Sequence, residues 1–242
     1  MQSVCRTDMV DLVRPFELVY KGLRDPHKIP PYLLRHLSPS KYSPKIIEDG
    51  VVTWNTEAGF DWGDGDTPPQ ISAINYHMVQ ALREDLEGNE YSHAVEIGCG
   101  YGRVTPWLSE FAEEVTGVDP NGDVLSIVED YYPEINTISA KAQNLPIPDD
   151  DADLLFTRAV LQHIPSEGAQ QAINEIERIA NGNAHILICE ATKGAGGETF
   201  YPRSKAEYSK LFNGFQLESN RQRDAPAKTR KHNRSRMFFK RK

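Results

Sequence analysis

Cysteine is scarce in this 242-residue chain: Cys5, Cys99 and Cys189 stand far apart and form no C-x-x-C. That spacing excludes a disulfide framework and a structural zinc site. No apolar run approaches the roughly 20 residues needed to span a bilayer. The segment MQSVCRTDMVDLVRPF places Asp8 and Asp11 where a signal peptide would need its apolar stretch. Internal repeats at solenoid or propeller spacing are absent. The seven histidines show no ligand spacing, and DWGDGD lacks the Glu that closes an EF-hand loop, so no metal is expected. With 39% hydrophobic and 26% charged residues the chain can bury a core, and a soluble, cytoplasmic, globular protein is the expectation.

Charge is present but uneven. The formal net charge is −8, yet residues 221–242 hold ten Lys/Arg against Asp224 alone, a net of +9 that leaves −17 on the first 220 residues. Either an anionic partner or a local structural use must account for the basic end.

Two regions are expected. Residues 1–67 are irregular, broken by Pro26, Pro30, Pro31, Pro39 and Pro44, and read as an N-terminal extension or lid; Trp54, Trp62 and, beyond it, Tyr76 are candidates for its inner face. From 68 to 242 a domain follows. Ile71, Ile74, Met78, Leu82 and Leu86 recur at helical spacing up to a capping Gly88. Short apolar strands then alternate with helices: strands at HAVEIGCG, EVTGVDP, INTISAK, ADLLFTR and AHILICEA, helices at RVTPWLSEFAEE, NGDVLSIVEDYY and SEGAQQAINEIERIA, the last capped by Ser166. SKAEYSKLF is a short helix, and FQLESNRQ with SRMFFKRK can pair as an antiparallel hairpin joined by the basic stretch 221–235. The pattern predicts an α/β fold with a doubly wound, mostly parallel seven-stranded sheet and a C-terminal antiparallel hairpin.

The segment Val95-Glu96-Ile97-Gly98-Cys99-Gly100-Tyr101-Gly102 is a strand ending in G-x-G-x-G, which lets backbone approach a ligand above the strand's end. Asp119 closes the next strand, where a carboxylate can accept from both hydroxyls of a ribose. A dinucleotide fingerprint needs a third glycine where this chain has Arg103, and an acid at Glu96 suits a cationic ligand better than a pyrophosphate. Over about residues 93–192 the chain resembles class I S-adenosylmethionine-dependent methyltransferases, in the acid-x-G-x-G-x-G turn, in VTGVDPNGDVL and in AKAQNLPIPDDDADLLFTRAVLQHIP.

The resemblance implies S-adenosylmethionine as cofactor. It implies that Gly98, Cys99, Gly100 and Gly102 pass beneath the donor, and that Glu96 orders the turn or meets the methionine amino group. Asp119 would bind ribose, Pro120 pack on adenine, and Ala142 and Gln143 approach the adenine edge, with Thr157 at the end of the fourth strand. Lys141 departs from the family, which often has Asp there, and a lysine can only donate.

On the acceptor side, Arg158 and His163 are the catalytic candidates: an arginine suits a carboxylate, a histidine serves as base for an acceptor that must lose a proton. The structural alternatives are an arginine paired with the acids at 149–151 and a histidine that fixes its loop. No Asn/Asp-Pro-Pro-Tyr stands after the fourth strand, which argues against amino-methylation of DNA or of protein glutamine. Tyr201 and Lys205 form a Y-x-x-x-K, but too late in the chain for a short-chain dehydrogenase; Tyr201, Arg203 and Tyr208 read as an acceptor-side wall. The reading is O-methylation of a small-molecule or glycan acceptor, including a lipid-linked one. A further similarity in organisation points to archaeal methyltransferases of surface N-glycan uronic acids. The alternatives are an RNA methyltransferase that uses the +9 tail, and a methyltransferase-like scaffold without activity, against which the Glu96, Gly98, Gly100 and Asp119 set counts.

Overall fold

The computed structural model describes residues 45–48, 51–54, 68–194, 196–222 and 234–242, with backbone only for 45–54, 68–74 and 222. Most of the extension expected over 1–67, with Trp62 and the side chain of Trp54, lies outside the described residues. Strands β1 (Lys45–Glu48) and β2 (Val51–Trp54) pair as an antiparallel hairpin of their own.

The main sheet begins after helix α1 (Pro68–Leu86) with β3 (Tyr91–Ile97). A 3₁₀ turn (Thr105–Glu110), β4 (Ala112–Asp119), α2 (Gly122–Tyr131) and β5 (Asn136–Ser139) follow. Then come β6 (Ala152–Arg158), a 3₁₀ turn (Leu161–His163), α3 (Ser166–Ile179), β7 (Ala180–Ala191), α4 (Lys205–Leu211), β8 (Phe215–Gln222) and β9 (Arg234–Arg241). The seven strands lie in the order β5-β4-β3-β6-β7-β9-β8. β3 to β7 are parallel, and β9 runs antiparallel between β7 and β8. The fold is the doubly wound α/β sheet with an antiparallel C-terminal pair that the alternation predicts.

Strand alternation divides the core. Leu155 of β6, Ile186 and Ile188 of β7 and Met237 and Phe239 of β9 face one layer, packed by Ile173 and Ile176 of α3 and Tyr208 of α4. Leu154, Phe156, Leu187, Cys189 and Phe238 face the other, packed by Leu82 and Leu86 of α1, Leu108 of the 3₁₀ turn and Val128 of α2. α3 earns its place through Ala169, Ala172, Ile173, Ile176 and Ile179, all buried on one stripe; each isoleucine contributes about 1.5–3 kcal/mol on burial.

Three local expectations are corrected. The helix expected at RVTPWLSEFAEE is a six-residue 3₁₀ turn, because Ala112, Glu113 and Glu114 enter β4, pairing Ala112 with Tyr91 and Glu114 with His93. Pro165, with extended ψ 161°, is the N-cap of α3, so Ser166 is its first helical residue and not its cap. The last strand, expected over SRMFFKRK, starts one residue earlier at Arg234, which pairs with Ala191, and ends at Arg241.

That ladder also consumes charge. Buried Arg236 stands 3.0 Å from buried Asp85 of α1, and Arg221 approaches both Glu84 and Asp85 at 3.4 Å. Arg241 donates to the carbonyls of Ala180 and Asn181, Lys242 donates to the Asn213 carbonyl, and Lys240 faces Glu218 at 3.8 Å.

Candidate functional site

The chain winds outward from β3 in both directions, to β4 and β5 on one side and to β6 and β7 on the other. Ligands of open α/β sheets bind beyond the strand ends at such a reversal. There β3 runs into a turn whose glycines Gly98, Gly100 and Gly102 have φ of 75°, 55° and 79°. The amides of Gly98 and Cys99 both donate to the Val118 carbonyl, at 2.7 and 3.0 Å, folding the turn onto β4. A side chain on Gly98 would collide with the methyls of Val160, so the turn and the loop after β6 meet only because this residue is glycine.

Two carboxylates organise the turn. Asp119, 6% exposed, accepts from the Gly100 amide at 2.9 Å and from the Asn121 amide at 3.0 Å. Burial raises its pKa and these amides oppose the rise. A carboxylate offers about four acceptor positions, so further donors such as ribose hydroxyls can be accommodated. Glu96, 2% exposed, lies at the foot of the turn and accepts from the Thr105 hydroxyl at 2.7 Å. Burial pushes its pKa up to about 8, against the Thr105 hydrogen bond and the charges of Arg158 and Arg103. Arg103 in turn donates through Nε and Nη2 to Asn75 Oδ1, tying α1 to the turn.

The remaining donor-side candidates occupy the same end of the sheet. Pro120 is half-buried after β4 and Ala142 is buried after β5. Gln143 is half-buried, its carbonyl accepting from Gln171 and its amide nitrogen packed at Gly168. Lys141 is exposed. The Cys99 thiol is buried, and burial, followed by the Glu96 and Asp119 charges, pushes its pKa up; it is an inert structural thiol.

Beyond β6 the backbone turns at Ala159, whose φ is 59°, left-handed for a residue with a Cβ and costing roughly 1–2 kcal/mol. The loop is held from both sides. Glu190 of β7, fully buried, accepts through Oε1 from the Thr157 hydroxyl and the amides of Val160 and Leu161, and through Oε2 from the Gln162 amide. Burial raises its pKa, and these donors oppose the rise. Arg203 meets the loop's carbonyls: Nη1 donates to Leu161 O and Nη2 to Ile164 O, each at 2.7 Å. It stands just before α4, whose start is fixed by a reciprocal Ser204–Glu207 capping box.

His163 donates from Nδ1 to the Thr199 carbonyl at 2.5 Å, so the hydrogen of the neutral ring sits on Nδ1. The Ala191 amide donates to Gln162 Oε1, which turns the Gln162 NH₂ towards His163 Nε2, 3.2 Å away. Both ring nitrogens are thus engaged by protein. Arg158 ends β6, half-buried, with its charge felt by Glu96. The acids at 149–151 lie at the opposite strand end, where Asp149 pairs with Arg178 and Asp151 with His93. Tyr201 donates its hydroxyl to Glu198 O and Lys205 opens α4. Among the described residues no cluster of three His, Cys, Asp or Glu could hold a metal ion.

A family model described as "Methyltransferase domain" matches residues 95–188, from inside β3 to inside β7, the stretch that carries the glycine turn, Asp119 and the loop after β6. Those residues form a class I, S-adenosylmethionine-dependent methyltransferase domain. An uncharacterized methyltransferase of Schizosaccharomyces pombe is 25% identical over 138 residues, which cover 56% of this chain and 51% of that protein. A ubiquinone/menaquinone biosynthesis C-methyltransferase of Campylobacter jejuni is 26% identical over 127 residues, 50% of this chain and 51% of that one. The chain thus spans about half the length of the curated relatives it matches. A solved S-adenosylmethionine-dependent methyltransferase of Leishmania major superposes with a TM-score of 0.62 at 17% identity, over 69% of this chain and 73% of that one. The 1,6-didemethyltoxoflavin-N1-methyltransferase of Burkholderia thailandensis, solved with 1,6-didemethyltoxoflavin and S-adenosylhomocysteine, superposes at 0.58 and 14% identity, over 70% and 78%.

Glu190 stands outside the motifs, yet it carried a signal: an acid closing the apolar run Ile186 to Cys189, which a central strand does not tolerate without partners. Arg203, expected in an acceptor-side wall, turns its guanidinium to the carbonyls of Leu161 and Ile164, and no sequence signal marks those distant partners.

Proposed function

We propose that this domain transfers the methyl group of S-adenosylmethionine to an oxygen of a small-molecule or glycan acceptor, and that the acceptor group is a carboxylate, as in a uronic acid. The residues at the turn fit the donor. Gly98, Cys99 and Gly100 give backbone access, Glu96 offers a buried acid to an ammonium group, and Asp119 keeps acceptor capacity for ribose. Pro120, Ala142 and Gln143 flank the adenine side. The bound donor supplies an already activated methyl carbon, so the protein's part is to orient and to exclude water.

The observation that carries the carboxylate reading is the state of His163. An alcohol must lose a proton during transfer, yet both nitrogens of the one histidine in the loop after β6 are held by Thr199 and Gln162. A carboxylate arrives without that proton, and the planar Arg158 fork at the end of β6 suits it. The Burkholderia neighbour, solved with a small molecule, supports an acceptor of that size. The RNA alternative loses support because Arg221, Arg236, Arg241 and Lys242 are engaged within the domain.

The test uses donor labelled in its methyl group, offered with a uronic-acid-terminated oligosaccharide and with the same oligosaccharide after reduction of its carboxyl to an alcohol. Label should enter only the acid, as a base-labile ester, and Arg158→Ala should lower that rate on the order of 100-fold while His163→Asn lowers it far less. Label in the reduced sugar, or a larger loss from the histidine variant, would refute the carboxylate.

A further inference from the structure

We infer that Glu190 and Arg203 are positioning residues that lock the loop 159–164 to the donor turn, so that filling the donor site is felt on the acceptor side. The proposal deepens the methyltransferase reading and rests on it for its probe. Its basis is the division of labour around one strained loop. Glu190 takes three successive amides, Val160 to Gln162, and Arg203 takes the carbonyls of Leu161 and Ile164. Gln162 is held again, its side chain by the Ala191 amide and its carbonyl by the Tyr201 amide.

A left-handed alanine persists only where its surroundings over-determine it, and such residues gather at functional sites. Ala159 is one, and its amide donates to Cys189 O, the residue before Glu190. Tyr208 is buried, as are the two clamp residues. Burial first and then the Glu190 charge raise its pKa, while the Arg203 charge opposes them, so all three share one buried cluster.

What makes the clamp more than a loop anchor is Val160. Its amide is held by Glu190, and its side chain covers Gly98 so closely that no Cβ fits there. Movement of the glycine turn on donor binding therefore presses on a loop that cannot yield at Val160 without leaving Glu190. Arg158 and His163 flank that point in sequence, one on each side.

The experiment needs no acceptor. Amide exchange and NMR shifts are recorded for the full chain, wild type and Glu190→Gln, with and without S-adenosylhomocysteine. Glutamine keeps the shape but removes the charge and replaces one of the two accepting oxygens with an NH₂, which cannot accept from the loop. In the variant, exchange at Val160, Leu161 and Gln162 should quicken roughly 10–100-fold, the loss of hydrogen bonds to a charged group, with β3 and β6 amides unchanged. In the wild type the probe should shift Val160 and Leu161, and in the variant that response should vanish while affinity stays within about threefold. Should Glu190→Gln fail to fold, Arg203→Lys, which can reach one carbonyl but not two, is read the same way. Unchanged loop exchange in the variant overturns the clamp. A bound probe with a silent loop overturns the coupling alone, whereas a probe that does not bind overturns the methyltransferase reading with it.

Discussion

Glu96 shows how one side chain can report ligand binding as a proton. Its ordinary pKa of 4.5 rises to about 8 on folding, chiefly through burial. Between those values the native state holds a proton that the unfolded chain has lost, so this residue's contribution to stability falls as pH rises from about 4.5 to 8. A cationic ligand near Glu96 favours the ionised form, so donor binding in that window should release a proton. Calorimetry of S-adenosylmethionine in buffers of different ionisation enthalpy should show the release, and Glu96→Gln should abolish it and flatten the fall in Tm. At Gly98 the demand is steric, and Gly98→Ala should weaken donor binding both through its positive φ and by driving Val160 away.

At the scale of elements, α1 is joined to the C-terminal hairpin by the buried Asp85–Arg236 pair. Burial raises the Asp85 pKa, and Arg236 and then Arg221 oppose the rise. Removing one partner leaves the other charge buried and unpaired, so Arg236→Ala should cost about 3–5 kcal/mol, whereas an apolar pair at both positions should be near neutral; urea unfolding of the single and double variants decides it.

Which elements could be read from sequence follows the same physics. β6 and β8 have the bounds expected for ADLLFTR and FQLESNRQ, because their apolar content or alternation has no helical competitor. The segment Ala112–Glu114 favours helix by local propensity, but pairing along β3 makes it strand. The glycine turn and its contact with Asp119 were legible because a turn folded tightly onto the next strand needs glycines at fixed spacing. The Glu190–Arg203 clamp and the Asp85–Arg236 pair were not, because each joins residues that only the finished sheet brings together.

The molecule as a whole should register its donor. A ligand at about 100 times its Kd adds about 2.7 kcal/mol, which for a domain of this size raises Tm by roughly 5–10 °C. Thermal melts with S-adenosylmethionine should show that rise and melts with NAD should not. The charge imbalance also looks different in three dimensions. Much of the described basic end neutralises acids or caps carbonyls of its own domain, so its excess is partly an internal counter-charge to the acidic remainder.

β9 has a consequence for how the protein is made. It is the last described strand to leave the ribosome, yet its place is inside the sheet, between β7 and β8. Until Arg234–Arg241 emerges, β7 and β8 each present an open edge, and the slots for Phe238 in one core layer and Phe239 in the other stand empty. A chain lacking that strand would carry open strand edges and exposed apolar surface together, the two features that favour aggregation.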